Sequence, residues 1–263
     1  MRRAFLIVAG IAALAAAVDG FFIEPFQIEV THSTLAAPVA QPLRIALLAD
    51  LHTSGMGRAE QKVLKLLEAE NPDVIIIAGD TLGPGYHYDR TLPLITRLRA
   101  PLGVWFVHGN WETKYPFRGE RNFYANAGIH LLVNEGAAIR PDVWLAGLDD
   151  PSSVRPDPDA ALAKAPAGAF VIAAFHAPGY FDEIAGRVPL VLAGHAHGGQ
   201  VRIPLIPVLW FPSDCGRYLE GWYELKGSRM YVTRGIGMSM LPVRFLCRPE
   251  LAIITLTPIA PPA

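Results

Sequence analysis

Arg44-Ile45-Ala46-Leu47-Leu48-Ala49-Asp50-Leu51-His52 decides how the chain is read. After Arg44 the run is wholly apolar, as in a strand buried on both faces. It ends in Asp50-Leu51-His52, an acid and a histidine. The pattern returns downstream. Val74-Ile75-Ile76-Ile77-Ala78 runs into Gly79-Asp80, and Val104-Trp105-Phe106-Val107 leads to Gly109-Asn110-Trp111-Glu112. Between these strands, Arg58 to Ala69 carries Val63, Leu64, Leu66 and Leu67 at helical spacing, and Thr91 to Leu98 can form another helix. Strands alternating with helices predict βαβ units. Ligands in such folds bind beyond the carboxyl ends of the strands, which is where Asp50, His52, Asp80 and Asn110 stand.

The second half reads as richer in strands: Leu131–Val133, Val143–Ala146, Phe170–Ala173, Leu190–Leu192, Glu220–Glu224, Met230–Thr233 and Ala252–Leu256. The Phe170 strand leads to His176, and the Leu190 strand leads to Gly194-His195-Ala196-His197-Gly198-Gly199. Glycines there let the backbone approach a ligand closely, and neutral imidazole is the commonest metal ligand. Taken singly, an Asp at a strand end is usually a cap and a lone His a structural side chain. Those readings do not explain Asp50, His52, Asp80, Asn110, His176, His195 and His197 as an ordered set. All offer N or O donors and none a thiolate, which favours Mn, Fe, Zn or Co. The set exceeds the needs of one tetrahedral ion and fits two if a carboxylate bridges them. Two such ions, ~3.5–4 Å apart, can stabilise both the attacking and the leaving oxygen in phosphoryl transfer.

Composition sets the frame. The 263 residues suit one large domain or two small ones, and 51% are apolar, enough for a sizeable core. A net charge of −1 gives no bulk signal for a nucleic-acid partner. Cys215 and Cys247 form no CxxC pair; they read as two buried thiols rather than a disulfide. At the N-terminus, Arg2-Arg3 precedes an uncharged run from Ala4 to Val18, broken by Asp19 and continued by Phe21-Phe22-Ile23. Residues 1–23 therefore read as a membrane anchor, with a cleavable signal ending near Ala15-Ala16-Ala17 as the alternative. The positive-inside rule places the domain on the extracytoplasmic side, unless the segment lies in the interface. Residues 24–42 read as a linker and edge segment, and residues 43–263 as the functional domain.

The motif order closely resembles the calcineurin-like metallophosphoesterase superfamily, whose pattern is D-x-H, GD, GN-H-[DE], H and GHxH. Here it reads Asp50-Leu51-His52, Gly79-Asp80, Gly109-Asn110-Trp111-Glu112, His176 and Gly194-His195-Ala196-His197. The resemblance runs from about Leu43 to Leu256. Finer features resemble the membrane-associated bacterial branch of YkuE-like and YaeI-like phosphodiesterases: Glu24-Pro25, Leu145–Pro151, His197-Gly198-Gly199-Gln200, and Arg244-Phe245 with Cys247 and Pro249-Glu250. The resemblance implies a four-layer αββα sandwich of two mixed β-sheets flanked by helices. It also implies a dinuclear centre, with Asp50, His52, Asp80 and His197 on one ion and Asp80, Asn110, His176 and His195 on the other. Asp80 and Asn110 would thus serve catalysis through the metals. The implied activity is hydrolysis of a phosphodiester or pyrophosphate bond, on a lipid-linked or envelope-precursor substrate, since some relatives act on UDP-diacylglucosamine. The alternatives are a phosphomonoesterase or nucleotidase, or a catalytically weak metal-binding membrane protein.

One position departs from the family. Its third motif carries a histidine after the asparagine, which assists the leaving group; this chain has Trp111, which has no proton to give in the useful range. A leaving group that is already a stable anion needs little protonation, so Trp111 favours pyrophosphates or activated diesters and marks a substrate contact. His87, in the Gly83–Tyr88 loop, or His108 could supply the proton instead. Arg202 is a candidate phosphate contact, with Arg234 and Arg244 as others. Two apolar stretches, Ile203–Pro212 and Ile236–Pro242, could form core or an apolar rim facing lipid.

Overall fold

The computed structural model describes residues 1–151, 155–208 and 211–259. In chain order the first half holds α1 (Arg2–Val18), β1 (Glu29–Ala37), β2 (Leu43–Leu48), α2 (Arg58–Glu70), β3 (Val74–Ala78), α3 (Leu92–Ile95), β4 (Val104–Val107), α4 (Asn110–Lys114), α5 (Glu120–Asn126) and β5 (Ile129–Leu132). The second half adds β6 (Glu135–Arg140), β7 (Val143–Gly147), α6 (Pro158–Leu162), β8 (Phe170–Ala174), α7 (Phe181–Ile184), β9 (Leu190–Ala193), β10 (Gly221–Leu225), β11 (Ser228–Val232) and β12 (Glu250–Pro258). The strands form two six-stranded sheets, ordered β1-β12-β2-β3-β4-β5 and β10-β11-β9-β8-β7-β6. Both are mixed. β2 to β5 run parallel while β12 is antiparallel to β2. In the second sheet β7, β8, β9 and β11 are parallel, with β6 and β10 antiparallel at the edges.

Alternating side chains build the layers. Ile45, Leu47, Val74 and Ile76 face Leu145, Ile172, Leu190 and Leu192 across the space between the sheets. Their strand neighbours Ala46, Leu48, Ile75 and Ile77 point outward and pack on Val63 and Leu67 of α2 and Leu94 and Ile95 of α3. On the far side, Trp144, Ala173, Val191 and Val232 pack on Ala161 of α6 and on Phe181 and Ile184 of α7. The central strands are thus apolar on both faces, and burying each such Leu or Ile is worth about 1.5–3 kcal/mol. The result is the four-layer αββα sandwich.

Two local expectations change. The helix read over Thr91–Leu98 is only the short α3, with Pro93 in its first turn. Glu135–Arg140, which carries no alternation of large apolar residues, is the edge strand β6. Cys215 and Cys247 are both free and buried. Helix α1 buries none of its residues, and the helical stretch Arg2–Phe26 is long and apolar enough to cross a membrane. Of the two apolar stretches, Ile203, Leu205, Ile206, Met240 and Leu241 are exposed, whereas Leu209 and Trp210 lie outside the described residues.

Candidate metal centre

The ligand-type residues named by sequence converge at one end of the sandwich. Asp50 and His52 follow β2, Asp80 follows β3, and Asn110 opens α4 just past β4. His176 follows β8, and His195 and His197 follow β9. These are carboxyl ends of parallel strands from both sheets. The chain turns sharply there: Asp50, His52, Asp80, His195 and His197 all have positive φ, at 52°, 41°, 55°, 70° and 49°. Left-handed backbone at non-glycine residues costs on the order of 1–3 kcal/mol each and persists only where surrounding contacts impose it. Those contacts are main-chain hydrogen bonds from Asp50 to Gly79 (3.0 Å) and His52 to Asp80 (3.1 Å). The His195 amide donates to Asp50 Oδ2 at 2.9 Å, joining the two sheets at the site. Gly109 is required by close approach, since a Cβ there would collide with Asp80 Oδ1.

The donors fall into two buried groups, Asp50 with His52 and His197, and Asp80 with His176 and His195, each with its ligand atoms within 4.8 Å of one another. Asp80 Oδ2 stands between the groups, 3.6 Å from His52 Nε2 and 3.3 Å from His176 Nε2. Asp50 Oδ1 is 3.3 Å from His197 Nε2. Among the described residues, Asp50 Oδ1 and Asn110 Oδ1 are buried without a hydrogen-bond donor, a cost of about 1–3 kcal/mol for each such polar atom.

The histidine tautomers, assigned from their outer partners, sharpen the point. His52 Nδ1 donates to the Leu82 carbonyl (3.1 Å) and His176 Nδ1 to the Ala78 carbonyl (2.7 Å). His195 Nε2 donates to Asp214 Oδ1 at 2.8 Å. The inner nitrogens, His52 Nε2, His176 Nε2 and His195 Nδ1, therefore carry lone pairs. His176 Nε2 and His195 Nδ1 face each other at 3.0 Å, an arrangement that needs a proton or a cation between them. Outer hydrogen bonds that aim inner lone pairs are the usual support of metal-binding histidines. Orphaned oxygens and facing lone pairs fit divalent metal.

Among the protein's own charges, burial pushes the Asp50 carboxyl up, against the pull of His176. Asp80 is held down at about 2: burial opposes this, but when His176 carries the proton that the facing rings require, its charge and hydrogen bond prevail. Burial pulls His197 well below its ordinary value. Beneath the site, the buried Glu112 carboxylate accepts from the amides of Asp80 (2.9 Å), Thr81 (2.8 Å), Leu82 (3.2 Å) and Gly109 (3.0 Å). Burial, then the Asp80 charge, pushes this carboxyl up, yet those partners are donors and match the ionised form.

A cavity of about 580 Å³ opens over the cluster, walled by Tyr86, Trp111, Lys114, Tyr115, Phe211 and Asp214. The Trp111 ring packs 4.5 Å from the His52 ring and 5.0 Å from Tyr86, and its amide donates to Asp80 Oδ1 at 2.9 Å. A cavity of about 640 Å³ between Trp105 and Trp144 holds none of the named ligand residues. The structure does not bring His87 or Arg202 to the metal-side cavity. His87 is exposed with its ring near Gly85, and its neighbour Tyr86 takes the place on the wall. Arg202 instead donates to Glu220 (2.7 Å) and the Gly198 carbonyl (2.8 Å). His108 is buried between Asp149 (2.9 Å) and Glu120 (3.2 Å), away from the wall. Sequence reading missed Asp214 and the function of Glu112. Glu112 stood inside a named motif; Asp214 lies in a turn with no signal of its own.

The family pattern described as Calcineurin-like phosphoesterase matches residues 43–199. This chain belongs to that family. Phosphodiesterase YaeI of Escherichia coli (strain K12) is 30% identical over 283 residues, covering 97% of this chain and 98% of the relative. Uncharacterized metallophosphoesterase YkuE of Bacillus subtilis (strain 168) is 29% identical over 254 residues, covering 89% and 87%. In fold, a dimetal phosphatase from Danio rerio is similar at a TM-score of 0.51 and 13% identity, covering 82% of this chain and 98% of that one. As a calcineurin-like phosphoesterase, the protein is a metal-dependent phosphoester hydrolase.

Proposed function

We propose that Asp50, His52, Asp80 and His197 hold one divalent ion and Asp80, Asn110, His176 and His195 a second, with Asp80 shared. The N and O donors suit Mn, Fe, Zn or Co. Bound there, the pair would supply Lewis-acid polarisation of the phosphoryl group and a water activated near neutral pH. The chain's own residues do the rest. Asp80 and Asn110 aim oxygens at the centre. Lys114 brings positive charge to the cavity wall, suited to a phosphate oxygen. Trp111 excludes water and offers no proton, so the leaving group must depart as a stable anion.

The substrate we infer is a phosphodiester or pyrophosphate on a lipid-linked molecule, hydrolysed at the membrane. One observation carries it. Trp111 and Met240 line both the metal-side cavity and an apolar groove of about 380 Å³ that reaches Pro25 and Phe26 at the foot of the N-terminal helix. That helix serves as the anchor, and Arg2 and Arg3 in its first turn favour an extracytoplasmic domain. The aromatic wall of Tyr86, Trp111 and Tyr115, with Tyr86 stacked on Tyr115 at 3.6 Å, favours as the second reading a phosphomonoesterase that acts on a nucleotide. The test is Mn²⁺-dependent hydrolysis of bis-p-nitrophenyl phosphate and p-nitrophenyl phosphate by wild type and Asp80→Asn, followed by lipid-linked pyrophosphates in vesicles. Diester turnover abolished by Asp80→Asn, with faster turnover of a lipid-linked pyrophosphate than of a soluble dinucleotide, supports the proposal. Preference for the monoester would overturn it in favour of the second reading.

A further inference from the structure

Arg244 is fully buried, and its guanidinium is spent on main-chain carbonyls. Nη1 donates to His197 (3.4 Å) and Cys247 (3.2 Å), Nη2 to Arg234 (2.8 Å), Gly235 (3.2 Å) and Gly237 (2.7 Å), and Nε to Gly237 (3.1 Å). Arg202 and Arg234, by contrast, reach the carboxylates of Glu220 and Glu29. Among the described residues the hydrogen-bond partners of Arg244 are carbonyls and not carboxylates, and a buried charge held in this way is costly. What Arg244 gathers gives it a role at the site. His197 is a ligand candidate. The Gly235–Gly237 loop lies directly behind Asp50: the Ile236 amide donates to Ala49 at 3.1 Å and the Gly237 amide to the Asp50 carbonyl at 2.6 Å. One planar fork therefore fixes the backbone behind donors from both sheets.

The fork is itself held from the N-terminal segment. The Arg244 amide donates to the Gly20 carbonyl at 2.9 Å. The buried Glu24 carboxylate accepts from the amides of Leu246 (2.7 Å) and Cys247, fixing a turn in which Leu246 has φ 52°. Cys247 Sγ then donates to the carbonyls of His197 and Gly198, both at 3.4 Å. A continuous path of hydrogen bonds runs from the foot of the N-terminal helix to His197.

We propose that Arg244 is a positioning residue for the metal centre, and that Glu24 couples the helix foot to that centre through it. The inference rests on the ligand assignment made above, and it concerns the geometry of metal binding rather than turnover. Supports of metal ligands typically contribute 10–100-fold in affinity. The experiment uses the full chain in detergent and reads Mn²⁺ affinity by calorimetry, beside the melting temperature of the EDTA-treated protein. Arg244→Lys keeps the charge but loses the fork; Glu24→Gln loses one acceptor. Both are expected to weaken Mn²⁺ binding by about 10-fold or more while the metal-free melting temperature moves by only a few degrees. Arg229→Gln, at an exposed strand position, is expected to bind as wild type does. Folded Arg244→Lys and Glu24→Gln proteins with Mn²⁺ affinity within twofold of wild type would overturn the proposal. If Arg244→Lys does not fold, Glu24→Gln alone decides. Absence of Mn²⁺ binding by wild type would overturn the ligand assignment itself, a distinct outcome.

Discussion

His195 and Asp214 are joined by a 2.8 Å hydrogen bond from the imidazole Nε2 to a half-buried carboxylate on the cavity wall. The bond fixes the tautomer of His195 and turns its Nδ1 lone pair toward His176. Asp214→Asn can offer its amide nitrogen instead of an acceptor, allowing the ring to rotate or change tautomer. Metal affinity at the Asp80–His176–His195 group is expected to fall about 10–100-fold. Titration of the EDTA-treated variant with Mn²⁺ checks this: one weakened step beside one unchanged step is the expected isotherm.

By the motif resemblance, Trp111 stands where the family pattern has its leaving-group histidine. Trp111→His is expected to accelerate esters with poor leaving groups selectively. A positioned general acid contributes ~10²–10⁴-fold; an introduced histidine, without evolved support, should recover roughly 10-fold of that. The ratio of kcat/KM for methyl p-nitrophenyl phosphate cleaved at the aryl ester and for a dialkyl phosphodiester reads the effect directly. An equal change on both substrates would mean that the indole acts by shape alone, through its contacts with His52 and Tyr86.

The candidate ligand residues were legible because each follows a strand whose apolar run is unmistakable. The sheet order was not, because pairing of β1 with β12 joins residues more than two hundred positions apart. His87 and Tyr86 adjoin in one loop, and no local pattern says which turns to the cavity. The arginines pose the same difficulty. Arg202 and Arg244 are alike in sequence, but Arg202 has Glu220 within reach, whereas Arg244 is enclosed by carbonyls that only the folded chain assembles. Glu112 was visible in its motif while its partners, Asp80 to Leu82, come from the neighbouring strand end.

That arrangement makes Glu112 a stability residue as well as a support of the site. Glu112→Ala strands the amides of Asp80, Thr81, Leu82 and Gly109 in a buried setting. Each unsatisfied donor costs about 1–3 kcal/mol, partly relieved by water entering the space. A net loss of about 3–5 kcal/mol is expected, with metal binding lost in parallel because Asp80 is no longer held. Denaturant unfolding of the metal-free protein measures the first effect and Mn²⁺ titration the second. Glu112→Gln, which keeps one oxygen acceptor, should fall between wild type and Glu112→Ala.

His108 predicts a pH signature away from the cavity. Burial alone would lower its pKa, but hydrogen bonds to Asp149 and Glu120 raise it to about 10 from the ordinary 6.5. The folded state therefore holds the proton more tightly than the unfolded state does. The sign follows: this stabilisation is fully present below about pH 6.5, declines as pH rises, and is gone above about pH 10. At full development the difference is worth on the order of 5 kcal/mol. His108→Gln should thus be less stable than wild type at pH 6, and the gap should close progressively toward pH 10. Urea unfolding of both EDTA-treated proteins across that range checks it. A gap independent of pH would mean that His108 is neutral in the folded protein and that Asp149 and Glu120 are held by other donors.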